Sequence, residues 1–109
     1  MPIGNDDAAI HTRVTMALSN AERAVSFLRG RQVFRGVYEI QQLIQNLSVA
    51  QGYATASKNT AEAQYLGAMI NFYRSLIPQL RRPMTAPQVG DAIYDKHGAL
   101  ALADPLLPR

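Results

Sequence analysis

The sequence predicts an all-α protein, a small up-down three-helix bundle over residues 1–82 carrying an extended C-terminal arm over residues 83–109. Three observations predict it. Apolar residues recur at alternating intervals of four and three through three successive stretches, which places them on one face of a 3.6-residue helix. Glycine, proline and small polar residues separate the stretches. Beyond Pro83 the helical period gives way to short runs broken by proline and glycine.

The first helix is expected over about residues 6–29. Its stripe runs Ile10, Val14, Ala17, Ala21, Ala24, Leu28, widened by Leu18 and Val25. Asn5 or Asp6 can cap its start, Asp6 and Asp7 suit the positive end of its dipole, and Gly30 can stop it. The alanines would permit close helix approach. The second helix, over about 33–51, has the stripe Val33, Val37, Ile40, Ile44, Leu47 with Phe34 and Leu43 beside it, and Gly52 is its expected stop. The third, over about 60–81, is announced by Asn59 with Glu62 three residues on, the spacing of a capping box. Its stripe is Leu66, Met69, Tyr73, Leu76, Leu80, with Tyr65, Ile70, Phe72 and Ile77 on its flanks. So wide an apolar surface fits a central helix touching both others; the sharper reading seats part of it on another chain. Pro78 must kink or end this helix, because proline lacks the helical N–H and crowds the preceding turn. In the arm, residues 84–90 read as extended linker. Residues 92–102 read as two short strands about the turn Asp95-Lys96-His97-Gly98, with a short helix over Leu100 to Leu102 competing.

Composition excludes several chemistries. Cysteine is absent, which removes disulfides, thiolate metal sites and thiol nucleophiles. Two histidines, His11 and His97, cannot alone fill a site needing three or four ligands, so neither metal nor cofactor is expected. Gly-x-Ser-x-Gly, Ser-x-x-Lys, phosphate-loop and dinucleotide fingerprints are all missing, and Glu22, Glu39 and Glu62 fall on three different helices. The expectation is a protein that is not an enzyme. No apolar run reaches the ~18–20 residues of a membrane span, and the first residues lack the basic and apolar parts of a signal peptide. The expected setting is therefore the cytoplasm or an assembled particle, with no membrane partner.

Charge is unevenly placed. The chain carries a net +3, but residues 13–82 hold eight arginines and Lys58 against three glutamates, while both flanks are acidic. Charged residues make up only 17% of the chain, below the ~25% usual for globular domains, so some apolar surface is expected to be covered by other chains. Arg29, Arg31 and Arg35, around Gly30 and Gly36, form the densest basic cluster, and Phe34 supplies an aromatic beside it. Nucleic-acid contact would want such a patch, but the cluster is short and lysine is scarce. Arginine forks pair equally well with protein carboxylates at interfaces.

The run Tyr65-Leu66-Gly67-Ala68-Met69-Ile70-Asn71-Phe72-Tyr73, after Leu43-Ile44-Gln45-Asn46-Leu47, resembles the central helices of flagellin-export chaperones. The resemblance covers under half of the chain and consists of helical periodicity. Those chaperones have a further helix where this chain has its proline-bearing arm, and no membership of that family is drawn from it.

The function expected is a structural or assembly subunit of a larger complex, by analogy a bacteriophage capsid, neck or tail component. Its partners would be copies of itself or other subunits. Ile93, Tyr94, Leu100, Leu102, Leu106 and Leu107 of the arm would dock on a neighbour, and Arg29, Arg31, Arg35, Arg81 and Arg82 would pair across the interface. The alternative is a small export or assembly chaperone that holds a partner helix in an apolar groove.

Overall fold

The computed structural model describes residues 4–107, and these form four helices with no strand among them. They are α1 (Gly4–Arg29), α2 (Val33–Ala56), α3 (Thr60–Leu76) and α4 (Ala86–Ala101). Two short 3₁₀ turns, Ile77–Arg81 and Pro83–Thr85, join α3 to α4.

Side-chain contacts fix the directions. Arg13 donates to Asn46 and Asn20 to Glu39, so α2 runs back along α1. Gln51 donates to the Ala63 carbonyl at 3.0 Å, folding α3 onto α2. The Tyr65 hydroxyl donates to the Ala99 carbonyl at 2.6 Å, and the Lys96 ammonium lies 4.4 Å from the centre of the Phe72 ring. Arg29 with Asp91, and His11 with Asp104, return α4 antiparallel to α1. Every neighbour is therefore antiparallel, in an up-down-up-down order measuring 51 × 22 × 19 Å.

The α1 stripe is buried as its spacing predicts: Ile10, Val14, Ala17, Ala21, Ala24 and Leu28 are all sealed from solvent. Its alanines let α2 and α4 approach from two sides. α1 thus packs on both α2 and α4 whereas α3 packs mainly on α2, which corrects the central role expected of α3. α4 meets the far side of α3 through Tyr65 and Phe72. In α2 the buried line is Gly36, Ile40, Leu43, Leu47, Ala50 and Ala54, with Val33, Val37 and Ile44 only packed at its edge. The true stripe is rotated from the one read in the sequence.

Helix ends also differ. α1 already includes Asn5 and Asp6, so neither occupies the cap position, though Asp6 and Asp7 do lie in its first turn. It ends with Arg31, not Gly30, in the left-handed conformation (φ 59°). The Gln32 N–H donates to the Phe27 carbonyl and the Arg31 N–H to that of Leu28, the paired closure of a Schellman end. α2 runs past Gly52 to Ala56 and closes the same way, with Lys58 left-handed (φ 61°) and Asn59 N–H on the Ala54 carbonyl. Asn59 does cap α3, its side chain accepting from the Glu62 N–H at 3.2 Å. Pro78 ends α3 as expected, and the chain continues as a 3₁₀ turn.

The principal correction concerns residues 83–107, the described part of the expected arm. Neither an extended arm nor a hairpin over 92–102 forms; residues 86–101 are the fourth helix. Pro87 stands within its first positions, where the missing N–H has no intrahelical partner to lose. Ala86, Val89, Gly90, Ile93, Leu100 and Ala103 then line up against α1. The remaining tail is fastened by Asp104, whose carboxylate accepts from the Leu106 N–H at 2.9 Å and meets His11 Nδ1 at 2.7 Å.

Candidate interaction surface

An even number of antiparallel helices sorts the chain into two ends. One end holds the turn after α1, the start of α2, and the connection between α3 and α4. The other holds the start of α1, the turn into α3, and the end of α4. The sequence-predicted arginines all fall at the first. Arg29 closes α1, Arg31 occupies the turn, Arg35 lies in the first turn of α2, and Arg81 and Arg82 lie in the 3₁₀ connection. Asp91 joins them and is engaged: Arg29 donates to it at 3.1 Å and also lies 5.0 Å from the centre of the Tyr94 ring. Arg35 lies 5.7 Å from the centre of the Phe27 ring.

Two large apolar side chains protrude at this basic end. Phe34 is 93% exposed and Met84 79%. Sequence reasoning placed Phe34 beside the α2 core stripe and Met84 in a linker. The rotation of that stripe turns Phe34 outward, and the single legible signal was its place among the arginines.

At the opposite end the described charged residues are Asp6, Asp7, Lys58, Glu62 and Asp104, mainly acidic. An open cleft of about 670 Å³ lies here. Tyr65, Leu102, Pro105 and Leu107 form its apolar walls, and Asp7 and Glu62 supply carboxylates. Of the arm residues expected to meet a partner, Leu102 and Leu106 are exposed here and Leu107 is half-buried. Tyr94 is exposed on the flank of α4. Ile93 and Leu100 are fully buried, which corrects their assignment: the helix spends them on its own core.

Two further clefts lie along the sides. Between α1 and α4, Glu22, Val25, Ser26, Arg29, Tyr94 and His97 enclose about 720 Å³. His97 Nε2 stands 3.5 Å from a Glu22 carboxylate oxygen, and no hydrogen bond joins Ser26 to His97. Between α1 and α2 runs a buried polar ladder. Asn46 donates to Asn20 at 2.8 Å, Asn20 and Arg23 both donate to Glu39, and Arg13 donates to Asn46. Each of these polar groups finds a partner, so the ladder reads as register-setting structure.

Among the described residues no three His, Asp or Glu side chains gather as a metal site would require, and no helix is long and apolar enough to cross a membrane. No family model, curated protein or solved structure matches the chain.

Proposed function

We propose that this chain is a non-enzymatic structural subunit that assembles with other protein chains through the two ends of its bundle. The observation that carries the reading is the axial division of charge among the described residues, each end combining exposed apolar side chains with one dominant sign. Apolar anchors ringed by arginine or carboxylate are the composition of protein interfaces. Phosphate contacts would use the arginines alone and leave the acidic end without a role. A chaperone groove is less well supported, because α4 of the same chain covers the apolar face of α1.

The test is light scattering over a concentration series at low and high salt. The mass is expected to rise with concentration and the rise to weaken as salt screens the ends. A single mass under all conditions defeats the reading of assembly between like copies.

A further inference from the structure

We propose that the groove between the outer faces of α1 and α2 is a docking site for an acidic amphipathic helix of another protein. The inference goes beyond assembly through the two ends, because this surface runs along the flank.

Three large apolar side chains left in solvent share the groove: Met16 is 44% exposed, Phe34 93% and Tyr38 57%. Phe34 and Tyr38 stand four residues apart on α2 and so lie on one face. Two clefts, of about 420 and 290 Å³, have Tyr38 and Glu39 in common and form one continuous surface. Met16 lines the larger, Phe27 and Phe34 the smaller. From Phe34 to Gln45 the groove follows α2 for about 17 Å, or about three turns of helix. Its floor is the polar ladder of Asn20, Glu39 and Asn46, whose members satisfy one another. Met16, Phe34 and Tyr38, by contrast, make no hydrogen bond or ring contact among the described residues.

Charge selects the occupant. Of the described residues lining the groove only Glu39 is a carboxylate, and Arg23 and Asn20 already hold it. Arg13 donates to the neutral Asn46 and Arg35 lies over the Phe27 ring, so no carboxylate neutralises either cation. The two stand toward opposite ends of the groove, Arg35 beside Phe34 and Arg13 beside Asn46. A partner with apolar residues through its middle and a carboxylate near each end answers all of these features. A helix presents such residues on one face at helical spacing and satisfies its own backbone. The valley between two packed helices is the shape a third helix fills. A second copy would set Arg13 and Arg35 against their own kind. A nucleic-acid strand would find only these two uncompensated cations in the groove for its phosphates.

The probe is a stapled, fluorescein-labelled helix of about 15 residues, with leucine at i, i+4, i+7 and i+11 and glutamate elsewhere. Its twin carries lysine in place of glutamate. Fluorescence anisotropy is expected to show the glutamate helix binding the chain, less tightly as salt rises, and the lysine helix at least about tenfold weaker. Tyr38→Ser and Arg35→Glu, both at exposed positions, are each expected to weaken binding about tenfold or more. Tyr53→Ser, at an exposed tyrosine outside the groove, is expected to leave it unchanged. Circular dichroism melts confirm that the variants fold, and either groove variant alone suffices for the test. No binding of the glutamate helix overturns the proposal, as does equal binding of the twins or indifference to both groove variants. Tighter binding of a thymidylate oligomer of about 15 nucleotides overturns it in favour of nucleic acid. A dimer of the unaltered chain that Tyr38→Ser dissolves overturns it in favour of a second copy. Assembly through the ends is read separately, by mass in the absence of the probe.

Discussion

Gly36 and Gly98 both lie inside helices, yet their surroundings reverse the effect of adding one methyl group. A Cβ at Gly36 would stand 2.6 Å from Leu28 Cγ and closer still to one of its methyls, and Leu28 is sealed in the core. Overpacking of this kind costs ~1–3 kcal/mol and outweighs the ~1 kcal/mol of helix propensity that alanine brings. Gly36→Ala should therefore lower the thermal midpoint. Gly98 has nothing within 4 Å of the added atom, so Gly98→Ala should stabilise by about 0.5–1 kcal/mol. Paired melts read both signs, and a gain at Gly36 would mean that the α1/α2 contact is looser than described. Tyr73 offers a second residue-level test. Its hydroxyl is buried without a hydrogen-bond partner. Burial, with a smaller contribution from Tyr65, pushes its phenol well above the usual value of 10.0. The folded state thus holds this proton more tightly than the unfolded chain. Its contribution to stability is intact below about pH 10 and declines as pH rises beyond that. Tyr73→Phe should stabilise by about 1 kcal/mol at neutral pH, by removing an unsatisfied donor, and should lessen the alkaline decline. Denaturant titrations at pH 7 and 10.5 measure both.

At the scale of elements, the pairing of α1 with α2 is specified by more than apolar surface. Alanine-rich faces can slide past one another, whereas Asn20, Glu39 and Asn46 can satisfy each other in one register only. Asn46→Ala leaves the Asn20 carbonyl oxygen and an Arg13 N–H without their partners and should cost about 1–3 kcal/mol. A change below a few tenths would show that apolar packing alone sets the register. These elements were unequally legible in the sequence. The α1 stripe was complete because every core position holds an apolar residue at helical spacing. In α2 the core positions include Gly36, Glu39 and Asn46, residue types that hide a stripe and rotate its apparent centre. α4 was concealed twice. Pro87 imitates a linker although it occupies a tolerant first-turn position. Asp95-Lys96-His97-Gly98 imitates a turn because the core line passes through Lys96 and His97, both half-buried. Lys96 enters by laying its stem against α3 with its ammonium over Phe72.

For the molecule as a whole, the decisive fact is the parity of the helices. The arginine clusters at 29–35 and 81–82 were visible in the sequence, and any antiparallel arrangement of the first three helices brings them to one end. The acidic cleft was not visible. It needs α4 to run back along α1 and the turn after it to deliver Leu102 to Leu107 beside Asp7, which an extended arm would not do. The same parity brings His11 within 2.7 Å of Asp104, so residues 4 and 107 lie at one end of the bundle. Bridging them with a short linker and reopening the chain in the turn around Arg31 should yield a circular permutant that folds. The consequence for handling is immediate. An affinity tag fused beyond either end of residues 4–107 would crowd the end that holds Leu102 and Leu107 and spare the arginine end, so the place of the tag alone would bias which end stays open to a partner.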